Sequence, residues 1–372
     1  MAIRILVILG TRPEAIKLCP LVLSLREWPS RFQVHVCSTG QHRHLLEAVW
    51  QCFGVRPDSS LDGVPAGQSL SESSARILAA LPAVFASFQP DLAVVQGDTT
   101  STLCGALAAF YQRVPVAHVE AGLRSGDFAA PFPEEMNRIL VGRMALLHFA
   151  ATAGAAENLR SEAVAEERIH VTGNTGIDAL RLVCQLLEKK AIPVPIAFPQ
   201  KTRPRVVATM HRREALERGM PLICEALNRL VDDNDLEVVF PVHANPRVRE
   251  LVARELRPHP RIQICEPLDY VSFVALMRSA DLAVTDSGGI QEEAPYLGVP
   301  VVVLRQKTER PEGLQAGLAV LAGYDPVSIC SASRAALFSG DFARRVKAGH
   351  EIYGDGQAAG RIRSVIASYF NR

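Results

Sequence analysis

Short apolar, β-branched runs alternate along this chain with longer amphipathic stretches. IRILVIL (3–9) is almost continuously apolar, the pattern of a strand covered on both faces. A Gly-Thr-Arg-Pro turn follows, then a helix over 14–26, with Pro13 where its missing N–H costs little. Further strands are expected at 32–39, 91–96, 114–120 and 146–151, with helices over 43–53 and 71–88 among those between them. This β-α-β repetition predicts a mostly parallel sheet with helices on both faces. The Pro-rich stretch 192–204 breaks the periodicity as a connector. The pattern then restarts, with strands at 205–210, 236–242, 261–266, 281–286 and 299–304 and a last helix at 360–370. The expectation is two similar α/β units, one on each side of about residue 172. No fixed short period marks a solenoid.

Composition narrows the function classes. The 372 residues suit two α/β domains, and 48% hydrophobic with 21% charged residues excludes disorder. Lys and Arg number 40 against 39 Asp and Glu, so the basic excess of a phosphate-neutralising nucleic-acid binder is missing. The richest apolar region, 103–119, is broken by Gln112 and Arg113, which argues against a membrane span. The N-terminus reads as a strand and not as a signal peptide. Eight cysteines with no C-x-x-C point to buried thiols in a reducing cytoplasm, not to a zinc site.

Ligands of open parallel sheets bind beyond the carboxyl ends of the strands, and the polar clusters fall there. They are Gly10-Thr11-Arg12-Pro13-Glu14, Gly97-Asp98-Thr99-Thr100 and His118-Val119-Glu120 in the first half. In the second they are His211-Arg212-Arg213-Glu214, His243-Ala244-Asn245, Ser287-Gly288-Gly289 and Thr308-Glu309-Arg310-Pro311-Glu312. Such a distribution predicts one cleft between two domains. Ser287-Gly288-Gly289 opens a helix where backbone N–H groups suit a phosphate, and Glu292 or Glu293 in its first turns suits ribose hydroxyls; the pair points to a nucleotide. His211 followed by Arg212 and Arg213 suits a diphosphate, with Arg12 and Arg310 as further cations from similar loops. Asp98, Glu120 and Glu134, the last four residues before Arg138, form a candidate acid–base set for an uncharged sugar. A dinucleotide fingerprint and a Walker loop are both missing, so neither a tightly bound nicotinamide nor Walker-type ATP hydrolysis is expected. His118 and His170 carry no functional reading.

Taken in order, these segments resemble the bacterial non-hydrolysing UDP-N-acetylglucosamine 2-epimerases over essentially the whole length. The resemblance rests on GTRPEAIK (10–17), GDTTST (97–102), HVEAGLRSGD (118–127), PFPEEMNR (131–138), TGNT (172–175), HRRE (211–214), PVHANP (241–246), TDSGGIQEEAP (285–295), ERPEG (309–313) and YGDGQA (353–358). It implies an α/β fold of GT-B type, two Rossmann-like domains with parallel sheets facing a central cleft. The domains would be 1–172 with 355–372, carrying the carboxylates and the returning last helix, and 173–354, binding UDP. It implies reversible epimerisation at carbon 2 of UDP-GlcNAc to UDP-ManNAc, by elimination and re-addition of UDP through 2-acetamidoglucal. No cofactor and no metal are implied, and a cytoplasmic homodimer is.

Asp98, Glu120, Glu134 and His211 match the family's catalytic positions. Arg12, Lys17, Arg138, Arg212, His243, Ser287, Gly288, Gly289, Glu293 and Arg310 match substrate- or UDP-binding ones. Gln41 and His42 match a segment that in some members takes a second UDP-GlcNAc as activator. Met210 before His211 and Ala215 after Glu214 depart from the family's usual residues. The rival readings are a GT-B glycosyltransferase using a UDP-sugar, a hydrolysing epimerase that releases ManNAc and UDP, and a non-catalytic UDP-sugar sensor.

Overall fold

A computed structural model describes residues 2–40, 43–61, 68–210 and 219–371. The chain forms two compact units, Met1–Leu182 with Tyr353–Arg372, and Val183–Ile352.

The first unit is built on a seven-stranded parallel sheet. Its strands are β1 (Ile3–Leu9), β2 (Phe32–Ser38), β3 (Ser59–Ser60), β4 (Leu92–Gln96), β5 (Val116–Ala121), β6 (Leu147–Ala150) and β7 (Ile169–Val171), in the order β3-β2-β1-β4-β5-β6-β7. β1 is an interior strand, and Ile5, Leu6, Val7 and Ile8 are fully buried, which is why its run is almost wholly apolar. The helix Arg12–Arg26 starts two residues earlier than the turn reading placed it. Thr11 and Glu14 form a capping box there, with Pro13 in the first turn. Ser69 and Glu72 do the same for the helix Leu70–Phe88. β3 and β7 were not expected from the sequence. They are edge strands of two and three residues, too short to show a period of two.

The second unit carries a six-stranded parallel sheet. Its strands are β8 (Arg205–Thr209), β9 (Glu237–Pro241), β10 (Ile262–Cys265), β11 (Leu282–Thr285), β12 (Val301–Val303) and β13 (Ala319–Leu321), ordered β10-β9-β8-β11-β12-β13. β13 is again an unexpected three-residue edge. Both sheets reverse direction of growth beside their first strand, β1 and β8, so both have a switch point at their carboxyl edge.

The last helix, Ala358–Tyr369, belongs to the first unit. Asp178 accepts hydrogen bonds from the amides of Ala358 (3.1 Å) and Ala359 (2.8 Å) and so satisfies its N-terminus. Arg363 reaches back to the Ser24 carbonyl and the Glu27 carboxylate and lies over the Trp28 ring.

Two buried histidines face each other across β5 and β6. His118 pairs in register with His148, and each is 1% exposed with its Nδ1 unsatisfied. Burial holds both imidazoles down to about 4, against an ordinary value near 6.5. Between pH 6.5 and 4 the unfolded chain therefore binds more protons at these two sites, and acid favours unfolding. Asp178 opposes this, since burial raises it to about 6 and the folded state takes up its proton first. Urea midpoints at pH 7 and pH 5 should separate the contributions. His118→Gln and His148→Gln should each lose less of their midpoint over that interval than the parent. Equal losses would contradict neutral buried imidazoles.

Candidate functional site

In the first unit the chemistry gathers at the carboxyl edge of β1, β4 and β5. Glu120 lies in β5 yet has φ 63°, in the left-handed region that side-chain-bearing residues rarely adopt. The ladder to β6 shifts register between Val119 and Ala121, so Glu120 is pushed out of the pairing. The strain is of order 1–3 kcal/mol. Its effect is to turn the carboxylate toward the sheet edge instead of onto a face.

Three donors hold it there. Lys17 forms an ion pair with Oε1, Asn174 donates to Oε1 at 3.2 Å, and Gln96 donates to Oε2. The two charged side chains are 14% and 6% exposed, so water does little to weaken their attraction. Lys17, expected as a substrate contact, is also a counter-ion of Glu120. Gln96 and Asn174 escaped the sequence reading. Gln96 merely ends a strand, and Asn174 was visible only inside TGNT.

Asp98 follows Gly97 at the end of β4. Arg138 grips its Oδ2 through Nε (2.8 Å) and Nη2 (2.7 Å), and Asn137 donates to the Asp98 carbonyl at 2.8 Å. Arg138 is anchored in turn by Glu135 at 2.8 Å, a carboxylate 1% exposed that also accepts from the amides of Ser125 and Gly126. The helix Glu134–Met144 thus points Glu135 inward, while its neighbour Glu134 is half-buried at the first position. Glu135 was missed because two adjacent glutamates give no signal for which one faces Arg138. His118 also serves this edge, since its Nε2 donates to the Gly97 carbonyl at 2.7 Å, one residue before Asp98. Arg12 is half-buried in the first turn after β1.

In the second unit the carboxyl edge of β11 and β12 carries a buried chain of alternating charge. Arg305 donates to Glu309 (2.6 Å), Glu309 accepts from Arg310 (2.6 Å), and Arg310 donates through Nε to Glu292 (2.6 Å). All four are less than 9% exposed. Arg310 therefore sits beneath the N-terminus of the helix Gly288–Tyr296 with two carboxylates against it. Ser287 and Gly289 are half-buried at that turn, and the Ser287 amide is fixed by Thr285 Oγ1 at 2.9 Å. Glu293 accepts from the Tyr270 hydroxyl at 3.2 Å. His243 is exposed beyond β9, its Nδ1 accepting from the Asn245 amide at 3.2 Å. Gln41, His42, His211 and Arg212 lie outside the described residues.

This unit offers a helix N-terminus for an anion, and the first offers carboxylates with fixed counter-ions. Among the described residues no group of three His, Cys, Asp or Glu side chains is gathered as a metal would require. Gly288 is needed for the charge chain, since a Cβ there would lie 2.5 Å from Arg310 Nη1. Gly288→Ala should therefore displace Arg310 and leave Glu292 and Glu309 poorly paired, at a cost of about 3 kcal/mol in chemical denaturation. A variant of unchanged stability would show that the guanidinium moves aside freely.

The model of the UDP-N-acetylglucosamine 2-epimerase family matches residues 25–367. The UDP-N-acetylglucosamine 2-epimerase of Salmonella typhimurium is 45% identical over 372 residues, spanning 98% of this chain and 99% of that protein. The crystal structure of UDP-GlcNAc 2-epimerase from Neisseria meningitidis bound to UDP-GlcNAc superposes with a TM-score of 0.92 at 37% identity, covering 100% of both chains. That of the Methanocaldococcus jannaschii enzyme in complex with UDP-GlcNAc and UDP gives 0.82 at 30% identity, covering 99% of this chain and 100% of the other. The fold is GT-B-like, two parallel-sheet α/β domains, as the sequence reading held. With full-length matches in sequence and in fold, the chain belongs to the UDP-N-acetylglucosamine 2-epimerase family.

Proposed function

We propose that this protein interconverts UDP-GlcNAc and UDP-ManNAc without hydrolysing either. The observation that carries the reading is the pair of carboxylates at adjacent strand ends, Asp98 and Glu120, each held by its own cation. The proton at carbon 2 of the sugar is not next to a carbonyl, so its direct removal is very unfavourable. Loss of UDP from carbon 1 makes it feasible. A base takes the carbon-2 proton, that bond's electrons form the double bond to carbon 1, and the carbon 1–oxygen bond breaks with its electrons leaving on UDP. The product is 2-acetamidoglucal. Re-addition of UDP at carbon 1, with a proton delivered to the other face of carbon 2, gives the epimer.

Protonation from two faces calls for more than one carboxyl group, and Asp98, Glu120 and Glu134 supply them. UDP must be retained while it is a leaving group. The helix N-terminus at Ser287-Gly288-Gly289, with His211 and Arg212, suits that task. Arg310 supports the same turn from beneath. The reaction balances without an oxidant, in keeping with the absent dinucleotide fingerprint.

Incubation with UDP-GlcNAc, followed by proton NMR, tests the proposal. UDP-ManNAc should accumulate to an equilibrium mixture without free ManNAc and without an added acceptor. Free ManNAc would favour the hydrolysing reading, and turnover only with an acceptor would favour glycosyl transfer.

Glu120→Gln should keep UDP affinity, measured by calorimetry, while turnover falls by about 10²–10⁴-fold. Asp98→Asn should leak UDP and 2-acetamidoglucal, because re-addition slows while the diphosphate contacts remain. A variant that loses UDP affinity and turnover equally would contradict this division of roles.

A further inference from the structure

Glu14 is a further buried carboxyl in this unit, bonded to Thr99, the residue after Asp98. It is 1% exposed, in the first turn after β1, and five groups from the ends of β1 and β4 and the helix after β4 converge on it. Oε2 accepts from the amides of Gly10 (3.1 Å) and Thr11 (2.7 Å) and from the Thr11 hydroxyl (2.7 Å). Oε1 lies 2.8 Å from Thr99 Oγ1 and 3.0 Å from Thr102 Oγ1. Every one of these partners is neutral, whereas Asp98 and Glu120 each also pair with a cation. A buried carboxylate is held without a cation only at considerable cost.

Counting protons sharpens the point. Thr102 Oγ1 also lies 2.6 Å from the Gln96 carbonyl. Thr99 Oγ1 and Thr102 Oγ1 are themselves 3.1 Å apart, so four oxygen–oxygen contacts join Thr99, Oε1, Thr102 and the Gln96 carbonyl. The two threonine hydroxyls bring two protons. An ionised Glu14 would leave two contacts without a proton, at least one of them at Oε1 or at the Gln96 carbonyl. A proton on Oε1 leaves only the longest contact, Thr99 to Thr102, without one. Thr99 donates to Oε1, Oε1–H donates to Thr102, and Thr102 donates to the Gln96 carbonyl. Burial also raises the Glu14 carboxyl above its ordinary value, against the pull of its threonine and glycine donors.

The ends of this chain bear on the reaction. Thr99 follows Asp98 directly. Gln96 donates its side-chain amide to Glu120. Thr11 precedes Arg12. We propose that Glu14 is held as the neutral carboxylic acid and acts as a positioning residue, locking the loop ends that present Asp98 and Glu120. It touches no substrate. Its activity consequence rests on the epimerase reading, whereas its protonation state does not.

The test combines infrared spectroscopy with rescue by an isostere. Protein carrying ¹³C-labelled glutamate carboxyls should show, near neutral pH, the carbonyl stretch of a protonated carboxyl that Glu14→Gln lacks. Glu14→Gln keeps the acceptor at one atom and the donor toward Thr102 at the other; its second N–H meets Thr99, whose hydroxyl turns to donate to Thr102 at 3.1 Å, so the variant should fold and turn over UDP-GlcNAc close to the parent. Glu14→Ala should fold less tightly and lose about 10²-fold in turnover, the scale of a misplaced catalytic group. Should the alanine variant be unstable, Thr102→Val cuts the same chain at nearly constant volume, and its turnover should fall likewise.

Absence of the infrared band would overturn the neutral state. So would a Glu14→Gln protein that is unfolded or inactive. Full activity in Glu14→Ala or Thr102→Val would overturn the positioning role. If the parent itself does not turn over UDP-GlcNAc, the functional reading fails. The infrared band, and the position of Asp98 in a structure of Thr102→Val, then still decide the inference.

Discussion

The ion pair between Lys17 and Glu120 is the contact on which the carboxylate cluster of the first unit depends. A carboxylate 6% exposed needs a partner, and here the backbone is bent into the left-handed region to bring the two together. The neighbouring groups follow from that choice. Gln96 and Asn174 complete the donors around Glu120, and the register shift in β5 makes room for the turn. Gly122, just beyond it, has φ 87°, and a Cβ there would lie 2.1 Å from the Ala155 carbonyl oxygen. One strained residue thus fixes the local sequence on both sides.

The two units solve the problem of buried charge in different ways. In the first, Asp98 and Glu120 are each paired with a cation, Arg138 and Lys17, near the sheet edge. In the second, Arg305, Glu309, Arg310 and Glu292 pair in a buried chain beneath a helix N-terminus. On the proposed reading, the separate carboxylates serve proton transfer and the helix N-terminus above paired charges serves a diphosphate.

The fold was largely legible in the sequence because its central strands are apolar on both faces. IRILVIL and LAVVQ are nearly unbroken apolar runs, and each following turn carries polar residues. Edge strands such as Ser59–Ser60 were not legible, for two or three residues cannot display a period. The carboxylates Asp98 and Glu120 could be read as polar residues at strand ends. The geometry of Glu120 could not, since nothing in HVEAG marks a glutamate for a positive φ. Nor does local pattern separate Glu134 from Glu135. The partner that settles the matter, Asp98 through Arg138, is about forty residues away in the chain. Glu14 could be read as a cap, and its contacts with Thr99 and Thr102 come only from the pairing of β1 with β4.

The central claim is that epimerisation proceeds by breaking and remaking the carbon 2–hydrogen bond with UDP detached. It is tested most directly by running the reaction in heavy water and examining carbon 2 of the product by NMR. The account predicts that UDP-ManNAc formed from UDP-GlcNAc carries deuterium at carbon 2, because the returning proton comes from a group in exchange with solvent. UDP-ManNAc that keeps the original hydrogen at carbon 2 would contradict it.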